Sequence, residues 1–117
     1  MIASTDSYWT RDYGPWFIFD GNGDLGVVDF QYNRPRPNDN LIPQIFANQQ
    51  GLPYYGMNLM QTGGNYMNDG INTAAQTNLV YSENSSLSQQ EVYNRMHNYL
   101  GIENYYVLAD PNNTYID

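Results

Sequence analysis

Residues 9 to 16 read Trp-Thr-Arg-Asp-Tyr-Gly-Pro-Trp and lead straight into the apolar stretch Trp16-Phe17-Ile18-Phe19. A run of this kind seats an ionised carboxylate, that of Asp12, at the rim of an aromatic pocket. That arrangement suits a flat, delocalised cation. The carboxylate accepts a bidentate pair of hydrogen bonds while a ring covers the cation's face. The same residues are equally compatible with an Arg11–Asp12 surface pair beside a turn.

A second group lies in Asn33-Arg34-Pro35-Arg36-Pro37, where arginine alternates with proline. Fixed proline φ values hold such a segment extended and bring two guanidinium groups near each other. Like charges this close call for an anion between them, most naturally a carboxylate gripped bidentately. The plainer alternative is a solvated loop. In Gln61-Thr62-Gly63-Gly64-Asn65 the glycines permit close backbone approach to a neighbour or a ligand. No lysine or helix follows in the way a phosphate loop requires.

Other polar groups carry less. Asp20-x-Asn22-x-Asp24 resembles the start of a calcium loop, but Leu25 and Gln31 stand where that loop needs glycine and glutamate, so it reads as a hairpin turn. His97, the one histidine, has no serine, cysteine or paired acid at a triad or metal spacing and reads as a helix-surface residue. Asn84-Ser85-Ser86 and Asn112-Asn113-Thr114 match the glycosylation sequon, a motif short enough to arise by chance.

The elements that must position these groups follow from hydrophobic patterning and turn chemistry. Trp16–Asp20 and Leu25–Tyr32 read as strands joined by a hairpin at Gly21–Asp24. Asn33–Asn40 reads as a loop, and Leu41–Gln50 as a short helix with Pro43 in its first turn and Gly51 as its stop. Tyr54–Met60 is a third strand. A second round follows: strands at Asn65–Met67 and Thr73–Tyr81, a helix at Leu87–Leu100 ended by Gly101, and a strand at Asn104–Ala109. The order strand-strand-helix-strand thus occurs twice, about fifty residues apart. Two such units alone leave sheet edges open, which suggests part of a larger cyclic or layered α/β assembly.

Composition narrows the partners. The chain has 117 residues, 12 Asp+Glu against 4 Lys+Arg, and a formal net charge of -8. It contains no lysine, which disfavours a nucleic-acid partner, while an acidic surface draws in cationic ligands such as arginine-bearing peptides. Three of the four arginines, Arg11, Arg34 and Arg36, fall in the first third. With no cysteine there is no disulfide, thiolate metal site or cysteine nucleophile in this sequence. No apolar stretch approaches the ~18 residues of a membrane span, and the first residues have no signal-peptide pattern. The last residues, Asn113-Thr114-Tyr115-Ile116-Asp117, do not read as a finished terminus, so the expectation is an internal piece, incomplete at both ends.

Trp9-x-Arg11-Asp12-x-Gly14-Pro15, Gly63-Gly64-Asn65 and the strand-strand-helix-strand repeat together resemble the guanidine-modifying superfamily. Within it the chain is similar to the agmatine-deiminase branch and to secreted bacterial peptidylarginine deiminases. The Arg-Pro-Arg loop points to the latter. The resemblance runs through essentially the whole chain. It implies an α/β fold of pentein type, a five-bladed α/β propeller around the substrate, of which residues 1–117 would supply two strand-strand-helix-strand repeats within one deiminase catalytic domain.

The resemblance also implies roles. Asp12 would bind the substrate guanidinium and Trp9 would pack along the arginine side chain. Arg34 and Arg36 would grip the substrate carboxylate, and Tyr115 and Ile116 would line the pocket. No cofactor and no metal are implied, the partners would be arginine-containing peptides and proteins, and the location secreted or cell-surface. The family's His-x-Asp pair and cysteine nucleophile have no counterpart here: His97 is followed by Asn98-Tyr99. The family pattern places that histidine just past Asp117, so this segment is expected to carry the binding half of the site and to be inactive alone. In the complete enzyme a thiolate would attack the guanidinium carbon, the histidine would protonate departing ammonia, and water would release citrulline.

Two other readings stand beside this one. One is deimination of agmatine or another small guanidine, which offers no carboxylate for Arg34 and Arg36. The other is a non-catalytic acidic, aromatic-rich module that binds carbohydrate or a cationic peptide.

Overall fold

In the computed structural model, which describes residues 2–111, the elements are α1 (Thr10–Tyr13), β1 (Trp16–Phe19), β2 (Leu25–Tyr32), α2 (Pro37–Gln50), β3 (Tyr54–Gln61), β4 (Tyr66–Asn68), β5 (Thr73–Thr77), α3 (Leu79–Glu83), α4 (Gln89–Leu100) and β6 (Asn104–Leu108). They form two three-stranded sheets, ordered β1-β2-β3 and β4-β5-β6. In the first, β1 runs antiparallel to β2, with Trp16 opposite Val28, and β3 runs parallel to β2, with Tyr32 opposite Gln61. In the second, β4 is antiparallel to β5 and β6 parallel to it, with Thr77 opposite Leu108. Each sheet is thus a tight hairpin followed by a helical crossover to a parallel strand, the connection that parallel pairing requires.

The two sheets share one core. Val28, Phe30, Met57 and Leu59 of the first meet Tyr66 and Ala74 of the second, with Val80, Val92, Met96 and Ile102 filling the space under the helices. Residues 26–30 of β2 are all buried, as expected of a central strand covered on both faces. β3 alternates, with Met57, Leu59 and Gln61 inward and Asn58 and Met60 outward. A second cluster, Tyr13, Tyr32 and Ile42 with Ala3 against it, joins α1, β2 and α2.

Several boundaries differ from the sequence reading. The helix after the Arg-Pro-Arg loop begins at Pro37 rather than Leu41, so Pro37 takes the first-turn place and Pro43 lies inside the helix. Pro43 is fully buried there, and its ring packs close to Gly14. Strand β5 stops at Thr77, because Asn65 Oδ1 accepts from Thr77 N–H at 3.1 Å and from its hydroxyl at 2.8 Å, and residues 79–83 turn into α3. Helix α4 starts at Gln89 rather than Leu87. Ser88 caps it through a reciprocal box, Glu91 N–H to Ser88 Oγ at 3.2 Å and Ser88 N–H to Glu91 Oε2 at 2.7 Å. Gly63–Asn65 is a single 3-10 turn, which shifts β4 one residue later.

Candidate functional site

The parallel strands β2 and β3 end side by side, and the chain's chemistry-bearing residues gather beyond that end. The Arg34–Arg36 loop leaves β2 and the Gly63–Asn65 turn leaves β3. Helix α1, carrying Asp12, packs on the 3-10 turn. The reason it sits so close is Gly63. A Cβ built there would collide with the carbonyl oxygen of Arg11 and come within 3.5 Å of the Asp12 Cα, so only glycine lets the two backbones approach. On the same side Arg11 Nη2 donates to the Tyr66 carbonyl at 2.6 Å, binding α1 to the first residue of the second sheet. Arg11 is therefore structural, and the surface ion pair with Asp12 considered from sequence does not form.

Asp12 is 6% exposed, and no donor among the described residues bonds to its carboxylate. Its oxygens are not among the fully buried side-chain atoms, so the unpartnered carboxylate is open to a cation arriving from solvent. Its charge is felt at Tyr13 and Tyr32, both buried, whose rings lie 5.8 Å apart. Burial pushes the Tyr32 hydroxyl above its ordinary pKa; the Arg36 guanidinium pulls it back and the Asp12 charge raises it further. Arg36 Nη1 donates to Tyr32 Oη at 2.9 Å, and its guanidinium lies 5.9 Å from the ring centre. Arg34 stands near enough to Tyr32 and to Glu83 to favour their ionised forms. Burial nonetheless holds the Glu83 carboxyl above its usual range, although the nearby Asn33 amide and the Arg34 charge favour its ionised form.

The aromatic frame differs from expectation. Trp9 and Trp16 do not flank one pocket. Trp9 is half exposed, its ring 4.5 Å from that of Tyr8, whereas Trp16 turns into the core, 4.4 Å from Tyr66 and 4.6 Å from Phe30. A cleft of about 850 Å³ runs past Phe17, Phe19, Asp20, Ile71 and Tyr99 and includes none of Trp9, Asp12, Arg34 or Arg36. Tyr115 and Ile116 lie outside the described residues.

Beneath the site is a polar layer that sequence reasoning did not single out as a group. Gln61 and Thr62 are each 1% exposed, and Asn65 and Gln76 are also buried. Both amide atoms of Gln61 and of Gln76, Thr62 Oγ1 and Asn65 Nδ2 have no hydrogen-bond partner among the described residues. The signal that could have found it is Gln61 continuing the inward face of a strand whose preceding inward residues are Met57 and Leu59.

The remaining motifs resolve plainly. Asp20 Oδ1 accepts from the N–H groups of Asn22 and Asp24 and closes the β1–β2 hairpin. His97 is exposed on α4, its Nδ1 3.0 Å from the Ile102 carbonyl oxygen and its ring stacked on Tyr93. Asn84, in a sequon, is buried: its amide donates to Met60 O and Val80 O and accepts from Met60 N–H, so no glycan could be carried there in the folded chain. Among the described residues no helix is long and apolar enough to cross a membrane, and no His/Cys/Asp/Glu group is arranged to hold a metal ion.

The family described as Porphyromonas-type peptidyl-arginine deiminase matches residues 1–115. Agmatine deiminase of Pseudomonas aeruginosa (strain LESB58) is 30% identical over 97% of this chain and 34% of its own length. The structure of an agmatine deiminase of Enterococcus faecalis superposes with a TM-score of 0.82 at 25% identity, covering 92% of this chain and 33% of that one. A C. jejuni agmatine deiminase, at 20% identity, shares the fold with a TM-score of 0.76 over 94% of this chain and 34% of its own. The chain therefore spans about a third of the length of the relatives it matches.

Proposed function

The chain belongs to the Porphyromonas-type peptidyl-arginine deiminase family, whose chemistry is hydrolysis of a guanidino C–N bond, and from that premise we propose that it forms the substrate-binding part of a protein-arginine deiminase. In this reading the complete enzyme converts peptidyl-arginine, preferably at a peptide C-terminus, to citrulline and ammonia. The two sheets are two blades of a five-bladed pentein propeller. The observation that carries the reading is the Asp12 carboxylate, almost buried and without a donor among the described residues. A guanidinium, protonated below pH ~12 and presenting paired N–H donors, is the cation that fits it.

Trp9, half exposed three residues before Asp12, is free to lie along the aliphatic part of an arginine. Arg34 and Arg36, on the loop leaving β2, would read the substrate's other end. The chain has no cysteine, so the nucleophile of this reading belongs to another part of the enzyme. Asp12 would keep the guanidinium oriented while that thiolate attacks its carbon, ammonia leaves on protonation, and water hydrolyses the covalent intermediate to the ureido product.

The names of the relatives favour a second substrate, agmatine, which lacks the carboxylate. One comparison separates the two: matched peptides ending in arginine or in argininamide, with agmatine alongside. The expected result is a preference of ~10–100-fold for the free carboxylate, lost in Arg34→Ala and Arg36→Ala. Higher efficiency on agmatine would transfer the assignment to the small guanidine. In the same assays Asp12→Asn, which keeps size and removes charge, is expected to lower kcat/KM by more than about a hundredfold. A loss below tenfold would remove Asp12 from the site.

A further inference from the structure

The two ends of the candidate site are held on different supports. Helix α1 with Asp12 rests on Gly63 and is pinned by Arg11 to Tyr66. The arginine loop leads into α2, where Arg36 occupies the position before the first turn. Between them stands Asp39, in the first turn of α2 and fully buried. Its Oδ1 accepts from the N–H groups of Asp6 at 2.7 Å and Ser7 at 3.1 Å, and its Oδ2 from the Ser7 hydroxyl at 2.6 Å. The tie is reciprocal, since Asn38 donates its backbone N–H and its side-chain amide to the Asp6 carboxylate, both at 2.8 Å.

From Ser7 the connection runs on to the guanidinium-reading end. Ser7 Oγ lies 3.4 Å from the Trp9 N–H, and the Ser7 carbonyl accepts from Tyr13 Oη at 3.2 Å. From Asp39 the other direction is three residues back to Arg36. We infer that Asp39 is a positioning residue that fixes the distance between Trp9–Asp12 and Arg36, and so sets selectivity for a substrate long enough to be held at both ends.

The physical argument is one of orientation. A ligand gripped at one end tolerates a shift between the two supports, because α1 keeps its own anchors on Gly63 and Tyr66. A ligand gripped at both ends does not, and small misplacements of positioning groups are expensive in rate. A buried carboxylate that spends both oxygens on two consecutive residues, Asp6 and Ser7, is a stiff connector, and charge-assisted bonds to backbone N–H groups are among the stronger ones.

This inference rests on the two-ended reading of the site, and its test keeps the two apart. In the complete deiminase, kcat/KM is measured on matched peptides ending in arginine and in argininamide for the parent, Asp39→Ala, Asp39→Asn and Ser7→Ala. Asp39→Ala is expected to lower efficiency on the free-carboxylate peptide about tenfold, mainly through KM, and on the amide less than about twofold. Asp39→Asn retains the Oδ1 acceptor for both backbone N–H groups and is expected to restore most of the ratio. Ser7→Ala, which removes the Oδ2 bond and the long Trp9 N–H contact but leaves both backbone bonds to Oδ1, is expected to fall between and gives the answer if Asp39→Ala is insoluble. An unchanged ratio in Asp39→Ala or Ser7→Ala, or an equal loss on both peptides, would overturn the inference. A parent without any preference for the free carboxylate would instead overturn the two-ended reading, and this inference with it.

Discussion

Tyr32 accepts the Arg36 guanidinium at 2.9 Å on its hydroxyl while lying buried beneath the Asp12 helix through its contact with Tyr13. One phenol therefore touches the cation proposed to read a carboxylate and borders the anion proposed to read a guanidinium. Tyr32→Phe keeps the ring and removes the tether. The expected outcome is a rise of roughly three- to tenfold in KM for peptides ending in arginine, the scale of one hydrogen bond to a charged group partly replaced by water. The kcat value should stay near that of the parent. Steady-state kinetics check this, and an unchanged KM would show that Arg36 is held by other contacts.

Gly63→Ala puts a methyl group against backbone rather than against a flexible side chain, so α1 itself must move. Overpacking of this kind costs about 1–3 kcal/mol, and here the displaced segment carries Asp12. Expected together are a lower denaturation midpoint and a loss of activity larger than the stability change alone predicts. Parent-like activity in a destabilised variant would separate the glycine from the site.

Asp29 supplies the pH-dependent expectation. It is buried, and burial holds its carboxyl above the usual range despite hydrogen bonds from Tyr54 Oη at 2.6 Å and Phe30 N–H at 2.8 Å. A raised folded-state pKa means that the folded protein binds this proton more tightly than the unfolded chain. At pH 7 the ionised group thus costs stability, and the cost fades as pH falls through the raised pKa toward 3.8. Asp29→Asn mimics the protonated form. It is expected to raise the urea midpoint at pH 7 and to lose that advantage on acidification. A gain that persists unchanged at pH 4 would assign it to something other than charge.

How much of this could be read in the amino-acid order depended on how local the cause was. The hairpin at Asp20–Asp24 and the αL stop at Gly101 are set by neighbours in sequence, and both were legible. The start of α2 was not, because two prolines compete for the first-turn place and only packing of Pro43 near Gly14 decides between them. Thr77 ends β5 because Asn65, twelve residues earlier, accepts its N–H and hydroxyl, which no propensity encodes. The positions of Asp12 and of the Arg-Pro-Arg loop were marked by residue type, but their supports were not. Arg11 spends its charge on a carbonyl 55 residues away, and Asp39 reaches back more than 30 residues to Ser7.

Because the Asp12 helix rests on Gly63 and is pinned to Tyr66, occupancy of the site is thermodynamically linked to the docking of one sheet on the other. Any opening between them would loosen the carboxylate, so a cation held by Asp12 as proposed would bind the closed arrangement and hold it shut. At a hundred times its Kd such a ligand adds about 2.7 kcal/mol to the closed state. The readout is local: amide exchange at Tyr66–Asn68, far along the chain from Asp12, should slow by up to roughly a hundredfold when a guanidinium compound fills the site.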